Sequence, residues 1–301
     1  MRAAKPLAAA VPQSPPAIPS SPPSPDSAAT PLSKIGDGFP KIHCVSQIVI
    51  PARLHSSRLP KKLLLRETGK TVLQHTFEAA RRASLPEGIL VAVDSEELFS
   101  EVTRFGGTAV MTDPNLPSGT DRVAVVAQQQ PDIDIFVNVQ GDEPEIDPEA
   151  VDLVVTLLAT NPTAMIATVA TPIREAAQLD NPACVKVVMD HQGRALYFSR
   201  SPIPHARSWQ ADMLHREPPL FWQHLGIYAY RREFLVRLGD IPPSPLEQTE
   251  QLEQLRFLQV GAEIVVGRID AAPKGIDTPA DYRAFVSRYV REQTRAVAAR
   301  A

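Results

Sequence analysis

The sequence predicts an open α/β fold on a buried parallel sheet, and two observations carry that prediction. Short apolar, β-branched runs alternate with stretches of helical periodicity. Strands that read as continuous Val, Ile and Leu rather than alternating with polar residues are those covered on both faces. The clearest runs are Ile48-Val-Ile50, Ile89-Leu-Val-Ala-Val93 and Ile135-Phe-Val-Asn-Val139. Each is followed at once by a loop of charged or small residues, and in an open α/β sheet ligands sit at the carboxyl ends of strands.

Residues 1 to 42 precede this pattern and are rich in Pro, Ala and Ser, so they read as a disordered tail with the folded domain expected over 43–292 and a polar helix end at 293–301. The first strand is expected to stop at Pro51, giving way to a basic loop with Arg53, Arg58, Lys61 and Lys62 among the small residues Ala52, Ser56 and Ser57. Guanidinium and ammonium groups beside small residues suit a polyanion such as a triphosphate. A solvated basic turn is the competing account, and neither a Gly-x4-Gly-Lys-Ser/Thr loop nor a Gly-x-Gly-x-x-Gly fingerprint follows a predicted strand.

A helix is expected from Val72 to Ala83, then the strand ending at Asp94, then a helix capped by Ser95 and closed at Gly106-Gly107. Asp94 is either a nucleotide contact or a loop residue. Ala109-Val-Met111 is a short strand, and Ser118-Gly-Thr-Asp-Arg122 leads into a helical run from Val123 to Gln130, with close-approach backbone suited to a base edge or phosphate. The strand at Ile135–Val139 runs into Gln140-Gly-Asp-Glu-Pro144, where Asp142 is a candidate for Mg²⁺, which favours one or two carboxylates plus substrate phosphates. Pro148 to Leu158 is a helix capped by Asp147.

Further strands are expected at 165–169, 185–189 and 196–199, the last delivering a second basic loop with Arg200 and Arg207. Phe221 to Tyr230 alternates as a strand that sets His224, Gly226 and Tyr228 on one face. Ser244-Pro-Leu-Glu247 opens one long helix by a capping box, carrying Glu250, Glu253 and Gln254 on a polar side. After a strand at Ile264–Gly267, Asp277 stands just outside a last helix capped by Thr278, from where it could join Asp142 as a metal ligand.

A net charge of −3 argues against a general nucleic-acid binder. Cys44 and Cys184 lack metal or disulfide spacing, so lone thiols in a reduced, cytoplasmic setting are expected. No apolar run approaches the length of a membrane span.

Seven motifs occur in order: Ile-Pro-Ala-Arg53 with Arg58-Leu-Pro and Lys62; Ser118-Gly-Thr-Asp-Arg122; Asn138-Val-Gln-Gly-Asp-Glu-Pro144; Tyr197-Phe-Ser-Arg-Ser-Pro-Ile-Pro204; His224-Leu-Gly-Ile-Tyr228; Ser244-Pro-Leu-Glu247 with Leu252-Glu-Gln-Leu-Arg256; and Gly275-Ile-Asp-Thr-Pro279. Together, over about residues 47 to 290, they resemble the 3-deoxy-manno-octulosonate cytidylyltransferases, the CMP-Kdo synthetase family. The resemblance implies a Rossmann-like nucleotide-diphospho-sugar transferase fold with a mixed, mainly parallel sheet and a smaller dimerisation and sugar-binding lobe. It also implies a homodimer, Mg²⁺, and transfer of CMP from CTP to Kdo. By matching position it places Arg53, Arg58, Lys62 and Ser118 on CTP, with Lys62, Arg53 and Asp142 catalytic. The same matching puts Asp142 and Asp277 on the metal, and Gln140, Arg200, His224, Tyr228, Glu253 and Gln254 around the sugar acid. Leu116 stands where family members often have histidine, and Ala272-Pro-Lys-Gly275 replaces a more glycine-rich approach to Asp277. A related sugar acid, 8-amino Kdo or a sialic acid, is the nearest alternative substrate, and a catalytically silent scaffold the more distant reading.

Overall fold

The computed structural model describes residues 44–56, 58–272 and 274–298; the expected tail at 1–42, Ser57, Pro273 and the last three residues lie outside them. Four strands open the sheet in parallel: β1 (Ser46–Ala52), β2 (Gly88–Val93), β3 (Ala109–Met111) and β4 (Ile135–Asn138). Between them run α1 (Val72–Ala80), α2 (Glu96–Arg104) and α3 (Gly119–Gln129). After α4 (Pro148–Thr160) come β5 (Ile166–Pro172), α5 (Ala176–Asp180), the hairpin β6 (Lys186–Met189) and β7 (Ala195–Ser199), and the long β8 (Trp222–Arg231). The chain ends through α6 (Arg232–Leu235), α7 (Pro245–Glu250), α8 (Gln254–Gln259), β9 (Ile264–Arg268) and α9 (Pro279–Ala298).

The main sheet runs β3-β2-β1-β4-β8-β5-β9, with β8 antiparallel to both neighbours. It is therefore mixed and mainly parallel, as expected. Alternation along β1 builds the two layers of the core. Ile48 and Ile50 pack with Leu73 and Phe77 of α1, Val151 of α4 and Phe285 of α9. Val49, between them, packs on the other face with Val123 of α3 and Leu255 of α8. The β6–β7 hairpin joins β8 through one pairing, Lys186 with Gln223, and forms the start of a smaller lobe. That lobe has its own apolar nucleus of Ile173, Leu179, Cys184, Leu214 and Phe221.

Three local expectations are corrected. Pro51 does not end its strand; it pairs with Ala92 inside β1. Val49 accepts from Val139 N–H on the β4 side at 3.2 Å, and Pro51, two residues on, turns its donor-less nitrogen to that same side, beyond the last β1–β4 pairing at Asn138. The helix expected from Val123 begins four residues earlier, because Ser118 itself is the N-cap and accepts from Asp121 N–H at 3.1 Å. The single long helix after Ser244 is two short ones. The capping box forms as expected, but the chain breaks at Gln251, whose φ of 51° is left-handed. The short helices α5 and α6 carried no capping signal that the periodicity could register.

Strand order locates the ligand crevice. From β1 the chain moves outward to β2 and β3, then crosses back to β4 on the other side of β1. The carboxyl ends of β1 and β4 thus flank the point where the winding reverses, which is where open α/β sheets bind ligands.

Candidate active site

The loop after β1 is shaped before any ligand arrives. Asp94, at the end of β2, accepts the Leu54 N–H at 2.9 Å, so its carboxylate serves the loop rather than standing free for a nucleotide. Further along, Lys61 takes a left-handed conformation with φ of 50°, its ammonium held by both oxygens of Glu97 at 2.9 and 2.7 Å. This turn sends the neighbouring Lys62 side chain inward, where it is only 14% exposed.

Lys62 Nζ donates to the Asp142 carboxylate and to the Ile276 carbonyl at 2.9 Å, and lies 3.4 Å from Asp277 Oδ1. Arg58 pairs with the same Asp277 oxygen at 2.9 Å. Two carboxylates from chain positions far apart thus meet on one ammonium, joined by a backbone bond from Ile276 N–H to Asp142 O at 2.9 Å. Gly141 permits the approach: a Cβ there would stand 3.2 Å from the Pro51 carbonyl, tighter than backbone accepts without shifting. Its own carbonyl is fixed by the Thr76 hydroxyl at 2.9 Å. Among the described residues no three His, Cys, Asp or Glu side chains converge as a self-sufficient metal cage.

A cleft of about 330 Å³ opens above these groups, lined by Arg53, Arg58, Lys62, Ser118, Gln140 and Asp142 among others. The N-terminus of α3 forms its far wall, presenting backbone N–H groups and the positive end of a helix dipole. Arg122, a residue given no role beforehand, lines this cleft from a buried position; it donates to Thr112 Oγ1 at 2.5 Å and to the Asp113 carbonyl at 3.1 Å, with Asp94 at 3.9 Å. Its only sequence signal was membership of Ser-Gly-Thr-Asp-Arg. Glu143 reads from the sequence as either an assistant to Asp142 or a cap. Burial, followed by the charges of Asp142 and Asp277, pushes its carboxyl up to about 8, and it faces Gly226, where a Cβ would come within 3.8 Å of Oε1.

The second half of the site lies along β4 and β8. Gln140 donates to Asn138 Oδ1 at 3.2 Å. His224 and Tyr228 share a face as expected, their rings 5.3 Å apart, with Phe198 of β7 edge-on to the imidazole at 5.0 Å. The Thr168 hydroxyl lies 2.8 Å from the Ile227 carbonyl and 3.0 Å from His224 Nε2. Burial drives the imidazole down to about 3, so it is neutral at physiological pH, and burial likewise raises the Tyr228 phenol well above its ordinary value.

Glu253, in the break between α7 and α8, reaches Ser118 Oγ at 2.8 Å and Thr120 Oγ1 at 2.5 Å, and Arg256 backs it at 3.1 Å. Burial holds its carboxyl above the usual range, opposed by those hydroxyls and the guanidinium. Gln254 is buried at the start of α8. The Arg200 guanidinium donates to the carbonyls of Glu250, Pro182 and Gln251 at 2.7, 3.0 and 3.2 Å.

Clustered cations, paired carboxylates and a helix N-terminus at the switch point of a mainly parallel sheet define a nucleotidyltransferase-like site. The chain matches the family model described as cytidylyltransferase over residues 47–264. A 3-deoxy-manno-octulosonate cytidylyltransferase of Rhodopirellula baltica is 52% identical over 242 residues, covering 80% of this chain and 97% of its own. That of Protochlamydia amoebophila is 40% identical, covering 77% and 90%. A solved CMP:2-keto-3-deoxy-manno-octonic acid synthetase complexed with CTP is 40% identical and superposes with a TM-score of 0.76, covering 82% of this chain and 99% of that one. The chain belongs to the cytidylyltransferases, and within them to the 3-deoxy-manno-octulosonate cytidylyltransferase family.

Proposed function

We propose that this protein transfers CMP from CTP to 3-deoxy-D-manno-octulosonate, releasing pyrophosphate. The single observation that carries the reading is the meeting of Arg58, Lys62, Asp142 and Asp277 at the mouth of a cleft walled by Ser118 and Gln140, in a chain of this family. Phosphoryl transfer needs little covalent help from the protein, so alignment and charge neutralisation supply most of the rate. Arg53 and Arg58 grip the phosphates as forks, and Lys62 neutralises charge that develops as the sugar's anomeric hydroxyl attacks the α-phosphorus and pyrophosphate departs. Ser118 and the α3 N-terminus stand beside the cytidine. Gln140, His224, Tyr228, Glu253 and Gln254 surround the sugar acid, the neutral imidazole and phenol serving as hydrogen-bond partners for hydroxyls rather than as charges.

The donor chemistry also suits Mg²⁺. Asp142 and Asp277 are hard oxygen donors already bridged by one ammonium, and two carboxylates completed by substrate phosphates are a common magnesium set. When bound, the ion supplies additional neutralisation of the triphosphate. The protein acts as a homodimer through the smaller lobe, where Leu196 and Trp209 are 61% and 48% exposed. It works in the cytoplasm, where its product serves lipopolysaccharide assembly.

The test is pyrophosphate release by the purified protein with CTP and Mg²⁺, run with Kdo, with 8-amino Kdo, with a sialic acid, and with Kdo plus EDTA. Release with Kdo that EDTA abolishes is expected. No release with Kdo from folded protein that binds CTP overturns the acceptor, and undiminished release in EDTA overturns the metal.

A further inference from the structure

The last helix, α9, touches each of the three chain segments that meet at Lys62. Asp277 stands just before it, and Asp281 in its first turn accepts the Asp277 N–H at 3.2 Å and the Thr278 N–H and hydroxyl at 2.8 Å each. The next residue, Tyr282, accepts the Glu67 N–H at 2.9 Å on its hydroxyl and so ties down the segment that follows Lys62. Further along, Arg288 holds Glu145, in the turn that carries Asp142, as a fork: Nε donates to Oε1 at 2.9 Å, and Nη2 donates to Oε2. Tyr282 and Phe285, three residues apart on one face, are buried in the core, and the Phe285 ring meets His75 of α1 edge-on at 5.1 Å. The helix is thus a fixed platform.

The Arg288–Glu145 pair does what the other contacts leave undone. Ahead of Asp142 the Gly141 carbonyl is fixed by Thr76, and Glu145 fixes the turn on the far side, so Asp142 is bracketed. Asp142 and Asp277 are like charges joined by the Lys62 ammonium and by the single Ile276 N–H to Asp142 O bond. In the proposed reaction Lys62 turns to the triphosphate, and the backbone bond and the α9 fork then keep the carboxylates together. The fork is also better sheltered than an ordinary surface pair: its side chains are 24% and 30% exposed, against 58% and 47% for Lys61 and Glu97. Magnesium demands near-ideal octahedral geometry, and a site drifting by more than about 0.5 Å loses it.

We infer that Arg288 and Glu145 are positioning residues: by fixing the acidic turn to the helix that begins beside Asp277, they hold Asp142 and Asp277 in register as one divalent-cation site. The inference rests on the Mg²⁺ reading of those carboxylates. Their register also has a readout without any metal, the protection of the Ile276 N–H from exchange.

The experiment compares Arg288→Met, Glu145→Gln, their double variant and Arg288→Lys. It measures Mn²⁺ binding in the presence of CTP by electron paramagnetic resonance, hydrogen exchange at Ile276 in metal-free protein, and KM for Kdo. Loss of a charge-assisted fork that is partly open to solvent corresponds to about fivefold. Each of Arg288→Met and Glu145→Gln is expected to weaken Mn²⁺ binding and to speed Ile276 exchange by about that factor. The double variant should be no worse than either, because both remove the same constraint, and Arg288→Lys should recover part of the loss. KM for Kdo should stay within about twofold of the parent, since α9 makes no contact with the groups proposed for the sugar. Native Mn²⁺ affinity, or native Ile276 protection, in both single variants overturns the inference. So does a rise in KM for Kdo as large as the loss of Mn²⁺ affinity, which would make the fork a general packing contact. A parent that binds CTP but no Mn²⁺ refutes the metal reading instead, and Ile276 exchange then decides whether the fork sets the register.

Discussion

The side of the cleft proposed to take the phosphates and the side proposed to take the sugar are built by different means. On the phosphate side the groups come from loops that begin where strands stop: Arg53 and Lys62 after β1, Asp142 after β4. Their positions follow from strand order alone. On the sugar side the groups depend on a backbone break, on a buried imidazole pinned by Thr168, and on a carboxylate carried between two short helices. The phosphate side is open and charged, so its side chains can rearrange onto a ligand. The other side is largely buried, and its geometry is inseparable from the packing around β8 and α8. Substitutions on the first should cost activity with little stability, and those on the second should cost both.

The largest expected effect is at Lys62. Lys62→Met is expected to lower kcat by about 10³-fold in the pyrophosphate assay, in keeping with the loss of one preorganised transition-state contact. Near-native secondary structure by circular dichroism would separate chemistry from folding. Activity within a few-fold of the parent would remove Lys62 from the mechanism. Asp142→Asn should follow with a loss of about 10²-fold or more, not recovered by excess Mg²⁺. Asp142→Asn keeps an oxygen within reach of Lys62, which also retains the Ile276 carbonyl and Asp277, so the melting temperature should not fall by more than a few degrees.

Across the cleft, His224 supplies a stability test. Its folded-state value lies near 3, below the ordinary 6.5 of the unfolded chain. Between those values the unfolded chain takes up a proton that the folded one refuses, so stability is full above about pH 6.5 and is lost as pH falls toward 3. The loss amounts to about 1.4 kcal/mol per pH unit within that window. Urea unfolding at pH 7 and pH 5 should show the parent losing about 2 kcal/mol more than His224→Gln. Equal losses would mean that the imidazole is not held neutral.

The smallest effect is at Gln251. A non-glycine residue in the left-handed region costs about 1 kcal/mol, so Gln251→Gly should raise the melting temperature slightly with activity kept. Gln251→Val should lower it, and lower activity with it, because a β-branched residue resists the turn that presents Glu253. A neutral Gln251→Val would show that the break does not depend on that conformation.

How much of this was legible follows from the range of each signal. Ser95 was readable as a helix start because its cap contact spans three residues, and the capping box at Ser244 and Glu247 for the same reason. Lys62 and Asp142 were readable as candidates because each follows an apolar run that ends in a charged loop. Pro51 misled because its tolerance inside β1 depends on where β4 stops, which no local pattern records. Arg200 was matched to the sugar acid by resemblance, and no local pattern records its partners within the chain. What it touches is Glu250, on a helix 50 residues further along.

By itself the sequence determined the α/β class, the alternation of layers along β1, the helix caps and the set of chemically able residues. All of these arise from interactions within a few residues, where period and propensity act directly. Tertiary structure alone decided which of them meet. Asp277 reaches Lys62 across 215 positions of chain, and Glu253 reaches Ser118 across 135. Those partnerships exist only once the sheet has assembled, and the chain reaches the second of them through the left-handed Gln251.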